Sequence, residues 1–281
     1  MPVLTLEQRQ FFADNGYLVI HNLFDLELIN QIKEAIFSIF NGQHTGIRHR
    51  SEIQRPDGTV LTNIQQLYRA HPVLSQFIKH PYMGSIASAL MDDTPEVRLW
   101  HDTLIYKEKL EGGAVPWHQD YYLLQHVAPA DIVTGWIALS KSNEESGCLY
   151  VVPGSHKWGL MPSHALNNIG PDSERFLKRS VHEALRPLIV KQPLVLEPGD
   201  VSFHHCLTIH GSYQNRSDYP RLGYIQHYFP AHLRRVAVSG LDYAQAYEVT
   251  VPTGELVRGD AFPLVWSATP NENHTDTDIL C

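Results

Sequence analysis

Cysteine is scarce in this chain: three residues, Cys148, Cys206 and Cys281, stand at unrelated spacings among 281. An odd number without a pattern specifies no disulfide framework and points to a reducing compartment. Basic residues are outnumbered, with 22 Lys+Arg against 30 Asp+Glu and a net charge of -8. That balance argues against a broad surface for nucleic acid or anionic lipid. No apolar run approaches the roughly 18 residues of a membrane span. Glu7, Arg9 and Asp14 interrupt the stretch where a signal peptide would need its apolar core. Cys281 is terminal rather than fourth from the end, so it forms no prenylation box, and no peroxisomal tripeptide closes the chain. The expectation is a soluble, cytoplasmic protein whose partners are small molecules, not nucleic acid or membrane. What the chain has in abundance is histidine, 17 residues.

The first hundred residues read as mostly helical. Thr5 to Gln8 form a capping-box pattern ahead of a short helix that Gly16 stops, and a strand follows over Tyr17 to Asn22. From Asp25, the residues Ile29, Ile32, Ile36, Ile39 and Phe40 recur at helical spacing until Asn41-Gly42. The polar stretch from Gln43 to Thr62, with His44, Arg48, His49 and Arg50, reads as a solvated loop. Helix resumes after Pro72 and again after Pro81. Beyond Asp92-Asp93 the texture changes to short β-type runs divided by turn residues, as in a sandwich or barrel. Those runs are Val97 to Glu108, Val115 to Leu124, Val133 to Leu139, Cys148 to Val152, Leu188 to Leu196, Val201 to His205, Thr208 to Tyr213 and Arg221 to Phe229. A long connection from Pro153 to Pro187 has little β character, and the residues after Pro263 read as a poorly ordered tail.

Within the second β run, His118-Gln119-Asp120 places an imidazole and a carboxylate two residues apart, on one face of a strand. A second histidine from a neighbouring strand would complete a 2-His-1-carboxylate facial triad, the donor set of non-haem Fe(II). Spacing alone proves nothing, because this composition yields about two His-x-Asp/Glu matches by chance. The chain has two, at His118 and His274. His274-Thr275-Asp276 sits in the polar tail with no histidine after it. His118 instead follows Gly112-Gly113 and Pro116-Trp117, and His210 comes ninety residues beyond Asp120 on another short strand. Arg221 follows a turn cluster, Asn215 to Pro220. A hairpin there would set its guanidinium beside the His210 strand, where it could grip a carboxylate through two parallel hydrogen bonds. Ser212, two residues after His210, shares its face and offers a hydroxyl.

Three blocks occur in order: Pro116-Trp117-His118-Gln119-Asp120, then Ser146 to His156, then His210-Gly211-Ser212 with Arg221 eleven places after the histidine. Together they resemble the phytanoyl-CoA dioxygenase family of Fe(II)- and 2-oxoglutarate-dependent oxygenases, from about Gly16 to Phe229. The resemblance implies a mainly β fold, a double-stranded β-helix (jelly-roll, cupin-like) core with flanking α-helices. One domain would span 1–281, with helical support in 1–93, the core in 94–230 and a partly irregular extension in 231–281. It also implies Fe(II) on His118, Asp120 and His210, with 2-oxoglutarate and O2 as cosubstrates and Arg221 and Ser212 on the 2-oxoglutarate. Trp136 and Thr103, four before Lys107, match further family positions lining the cosubstrate pocket. His101 and Asp102 remain alternatives for that contact, and sheet packing is an equal alternative for Trp136.

For the substrate side, His101, His205 and one of Tyr121 and Tyr122 are the candidates, since alternate strand positions face opposite ways. By the same rule His204 and His205 do not both point at one ion, which disfavours a zinc cluster of His204, His205, Cys206 and His210. His156 reads as a turn residue. The family's halogenases lack the carboxylate, so Asp120 implies hydroxylation or a related oxidation of a metabolite, with release of succinate and CO2. No dense basic cluster invites the phosphates of CoA. Two other readings use the same residues. One is a metal-dependent cupin-type isomerase or hydrolase in which Arg221 holds a substrate carboxylate; the other is a non-catalytic jelly-roll binding module.

Overall fold

The structure, a computed structural model, describes residues 4–42, 49–54, 57–162, 173–239 and 242–269. His44, Arg48, His274, Asp276 and Cys281 lie outside the described residues, as does part of the connection from Pro153 to Pro187. Helix α1 (Leu6–Asn15) opens on the Thr5 capping box, in which the Thr5 hydroxyl accepts from Gln8 N and the Gln8 side chain accepts from Thr5 N. Gly16 closes it in the left-handed conformation, φ 74°. No larger residue fits there: a Cβ on Gly16 would lie 2.4 Å from His156 Nδ1. Strand β1 (Tyr17–Ile20) leads to α2 (Leu26–Phe40), whose Asp25 cap accepts from Leu28 N and whose Ile29, Ile32, Ile36 and Ile39 are buried.

The expected solvated loop is instead a hairpin of β2 (His49–Gln54) and β3 (Val60–Gln65), which extends the main sheet through β3. Its alternation is masked in sequence because both faces carry polar residues: Ile53 and Leu61 share their face with Asn63 and Gln65. Asp57 tightens the turn by accepting from Thr59 N and the Thr59 hydroxyl. Helices α3 (Pro72–Phe77) and α4 (Pro81–Leu90) each start on proline behind a histidine cap, His71 accepting from Val73 N and His80 from Tyr82 N.

The remaining strands are β4 (Glu96–Lys107), β5 (Val115–His118), β6 (Val127–Ala128), β7 (Val133–Ala138), β8 (Leu149–Val151), β9 (Gln192–Leu194), β10 (Val201–His205), β11 (His210–Ser212), β12 (Arg221–Pro230), β13 (Arg234–Arg235) and β14 (Leu264–Ser267). Helix α5 (Ser173–Ser180) precedes β9. The large antiparallel sheet runs β1-β10-β7-β12-β4-β3-β2, with β14 also on β4, and faces a smaller sheet, β5-β11-β8-β9. The sheets are not closed into a barrel. This is the jelly-roll core expected, with helices against the outer face of the large sheet.

Two expected strands are shorter. The run from Val115 stops at His118 because Asp120–Leu123 turns into one 3-10 turn, and a 3-10 turn over Glu183–Leu188 occupies the start of the Leu188 run. Of the expected tail after Pro263, Leu264–Ser267 form β14, whose Val265 buries against the helices, and residues from 270 on lie outside the described residues. Leu233, Val249, Val257 and Phe262 of the C-terminal extension close around Trp100.

Alternation on the large sheet separates two environments. Leu104, Ile137, Phe203, Tyr224 and Tyr228 face the helices; the next residue on each strand faces the gap between the sheets. Asp102 goes with the helix side, which removes it as a cosubstrate contact. It is fully buried and accepts from Tyr68 N and the Tyr224 hydroxyl. Burial pushes its carboxyl from 3.8 up to about 7 against the lowering effect of those bonds. The folded protein thus keeps a proton that the unfolded chain has released, so stability falls as pH rises from about 4 to about 7. Asp102→Asn, which preserves the acceptor, should flatten this dependence, removing a loss on the order of 4 kcal/mol; urea midpoints measured across that range check it.

Candidate active site

His118 ends β5 and is register-paired with His210 on β11, so two imidazoles stand opposite each other with ring centroids 4.1 Å apart. Each is oriented by its own strand: Nδ1 donates to a backbone carbonyl two residues back, Pro116 O at 2.8 Å and Thr208 O at 2.9 Å. The Nε2 lone pairs are left for a ligand. Gln119 stays extended, φ -122° and ψ 131°, so alternation carries through to Asp120 even though the strand has ended. The Gln119 side chain, buried on the opposite side, donates to Gly159 O and Leu207 O and accepts from Met161 N. Asp120 Oδ1 lies 3.6 Å from His118 Nε2 and 3.5 Å from His210 Nε2. All three donor atoms fall within 4.8 Å of one another.

The other carboxylate oxygen meets the large sheet. His204 on β10, Thr134 on β7, His227 on β12 and His101 on β4 form one register row across four strands. The Thr134 hydroxyl donates to Asp120 Oδ2 at 2.7 Å, and His204 Nε2 is 3.4 Å from the same oxygen without reaching hydrogen-bond geometry. Burial alone would raise the Asp120 pKa, but the charge of His210 and the surrounding hydrogen bonds hold it well below 3.8. Burial disfavours the charged form of His210, yet Asp120 outweighs it and the net shift is upward. His204 is pushed down to about 4, by burial and then by His210, while burial also lowers His101 and His227.

The next row places Trp136 and Thr103 on the same inner face, separated by Ile225. Trp136 lies flat on Gly223, where a Cβ would come within 2.3 Å of its ring, so only glycine permits the packing. At the far end Arg221 is paired with Lys107, both buried. The expected hairpin is not formed. β12 pairs with β4 and β7 rather than β11, because the Asn215 to Pro220 turn crosses from the small sheet to the large one. Arg221 therefore faces Ser212 across the sandwich. Its guanidinium stands 5.4 Å over Trp136 and donates through Nη2 to Gly147 O, while Nε is buried without a partner among the described residues. Burial lowers Arg221 to about 10. Lys107 Nζ donates to Ser212 Oγ at 2.7 Å and to Tyr213 O, which leaves the Ser212 proton to be donated elsewhere.

These groups line one cavity of about 340 Å³ between the sheets. It contains His118, Asp120, His210, Arg221, Ser212, Trp136, Thr103 and His101, together with His204, which the sequence offers only in a disfavoured zinc cluster, and Thr134, His227, Tyr247, Asn63 and Gln65, which no motif marks. Two substrate candidates are elsewhere. Tyr121 turns its hydroxyl to Val127 O and packs in the Trp100 cluster, because the 3-10 turn rotates it out of the strand. His205 faces away, accepting from Leu207 N beside His156. A signal for choosing His204 existed: Val201 and Phe203 belong to the helix side, so His205 shares their parity and His204 takes the other face.

Two imidazoles, His210 buried and His118 partly so, with Nε2 aimed at one carboxylate oxygen suit Fe(II), and Arg221 Nε and Thr103 Oγ, without partners among the described residues, suit a carboxylate-bearing cosubstrate. Fold and donor set together define a non-haem iron, 2-oxoglutarate-dependent oxygenase. Residues 12–223 match the phytanoyl-CoA dioxygenase (PhyH) family, and the chain belongs to it. The peroxisomal phytanoyl-CoA dioxygenase of Rattus norvegicus is 28% identical over 85% of this chain and 72% of its own length. Among solved structures, the non-heme alpha ketoglutarate dependent carbocyclase SnoK from nogalamycin biosynthesis superposes with a TM-score of 0.73 at 23% identity, covering 94% of this chain and 97% of that one. EctD from S. alaskensis, solved with 2-oxoglutarate and 5-hydroxyectoine, gives 0.69 at 20% identity over 85% and 80%.

Thr134→Val keeps the shape and removes the hydrogen bond from Thr134 to Asp120 Oδ2. It should weaken metal binding about tenfold or more, read by anaerobic calorimetric titration with Fe(II) or Co(II).

Proposed function

We propose that this dioxygenase hydroxylates a compact small molecule that carries no CoA, with His118, Asp120 and His210 as the metal ligands and Arg221, Ser212, Trp136 and Thr103 around the cosubstrate. The observation that carries it is the convergence of both Nε2 atoms on Asp120 Oδ1 at one end of a cavity whose other end holds buried Arg221. Iron bound there supplies the oxidative decarboxylation of 2-oxoglutarate to succinate and CO2, with transfer of one oxygen atom to a C–H bond.

The protein residues orient these partners. Arg221 and the Ser212 hydroxyl offer donors to the distal carboxylate of 2-oxoglutarate, and the Trp136 face fixes the direction of the guanidinium. Thr134 occupies Asp120 Oδ2, so that Oδ1 would be the oxygen offered to the metal. The presence of Asp120 itself fits hydroxylation rather than halogenation. Leu123, Leu124, Ile53, Leu61 and Ile105 exclude water from the remaining space.

About 340 Å³ must hold the cosubstrate and the reacting part of the substrate, and among the described residues Arg221 is the only Lys or Arg in its lining. Neither property suits a nucleotide phosphate. Cys148 and Cys206 are buried free thiols, consistent with the cytoplasmic location we propose.

Two measurements test the reading. Anaerobic addition of 2-oxoglutarate to the Fe(II) protein should produce a visible charge-transfer band, and succinate release under O2 should vanish in His210→Ala. Turnover persisting without iron, or no 2-oxoglutarate binding, would overturn it. Arg221→Ala should raise the KM for 2-oxoglutarate about 10- to 150-fold, the loss of charged hydrogen bonds worth roughly 1.5–3 kcal/mol.

A further inference from the structure

Thr134 Oγ lies between two groups that each need a hydrogen bond from it or to it: Asp120 Oδ2 at 2.7 Å and His227 Nδ1 at 2.8 Å. A hydroxyl has one proton to give. An ionised carboxylate can only accept, so the Thr134 proton is committed to Asp120 and its oxygen must receive a proton from His227. Neutral imidazole carries one N–H, and here it is fixed at Nδ1. His227 Nε2 is therefore a bare lone pair. The ring lines the cavity, its centroid 4.7 Å from that of His101, whose other face stacks on Tyr247 with ring planes 8° apart. The side chain is 14% exposed, and Nε2 makes no hydrogen bond among the described residues. The same cavity is lined by apolar Leu123, Leu124 and Ile225 as well as by polar Asn63 and Gln65.

We infer that His227 Nε2 is the substrate-recognition acceptor of this site, and that the substrate presents a hydroxyl or N–H donor close to the carbon that is oxidised. The inference rests on the dioxygenase reading above and adds a chemical class to it. A purely hydrocarbon group at this place would leave Nε2 desolvated and unpaired. A donor completes a chain in which every proton points the same way: substrate O–H to Nε2, Nδ1–H to Thr134, Thr134 O–H to Asp120. Substrate recognition and the free oxygen of the metal ligand are joined through one threonine, and such aligned bonds strengthen one another. His227 is thus a specificity residue on the substrate side and a positioning residue on the metal side.

The test uses the full chain loaded with Zn(II) and N-oxalylglycine. Nitrogen-15 NMR of histidine-labelled protein, with His227 assigned from the spectrum of His227→Phe, should show Nδ1 protonated and Nε2 bare. The opposite tautomer overturns the inference. Binding of a matched pair, benzyl alcohol and benzyl methyl ether, should favour the alcohol about five- to tenfold, as expected for one neutral hydrogen bond, and the preference should disappear in His227→Phe. Absence of any preference in the wild type, or its survival in the variant, overturns it as well. Should His227→Phe fail to fold, Thr134→Val tests the same point, because loss of the threonine oxygen should release the tautomer and reduce the preference. Failure of the loaded protein to bind N-oxalylglycine is a different result, which defeats the dioxygenase reading beneath the inference.

Discussion

A carboxylate buried between two sheets must be satisfied at both oxygens, and the arrangement around Asp120 follows from that requirement. Oδ1 faces two imidazole nitrogens from the small sheet, while Oδ2 takes the Thr134 proton from the large one. The site therefore exists only where the two sheets are stacked. The small sheet alone would present the two histidines with a carboxylate whose second oxygen is unsatisfied, and the large sheet alone a threonine–histidine row with nothing to bind. Burial penalises the charge, and opposing imidazoles and hydrogen bonds overcome that penalty.

The same sandwich explains how a polar interior is tolerated in a chain that is otherwise ordinarily apolar. The large sheet gives its apolar parity to the helices, so that α2, α3 and α4 bury their isoleucines, leucines and phenylalanines on one side of it. Its other parity carries His204, Thr134, His227, His101, Thr103 and Arg221 into the gap. Stability is concentrated on the outer face and chemistry on the inner one. Glycine appears at the inner face where bulk has to be accommodated, as Gly223 does beneath Trp136.

Much of this was legible in local pattern. The capping box at Thr5, the isoleucine periodicity of α2, and the long strands β4, β7, β10 and β12 follow from spacing that neighbouring residues alone impose. His118 and Asp120 were separable from the chance pair at His274 by turn context and by the presence of His210 downstream. The hairpin at Val60 was hidden because both of its faces carry polar residues. Tyr121 departs from the expected pocket wall because one 3-10 turn ends the strand alternation. His204 and His205 are adjacent on one strand, and the apolar parity of Val201 and Phe203 assigns the inner face to His204.

By itself the sequence determined the residue types for a metal and a dicarboxylate, the approximate strands that carry them, and the class of fold able to bring them together. Tertiary structure decided which partners each residue meets. Arg221 shares a cavity with Ser212 from the opposite sheet rather than from a hairpin beside it, and His227 joins Asp120 through Thr134 on an adjacent strand of the same sheet. Local sequence specifies period and turn, through steric and hydrogen-bonding preferences of nearby residues. It does not specify register between strands distant in sequence, and here register alone lines up His204, Thr134, His227 and His101 beneath one carboxylate.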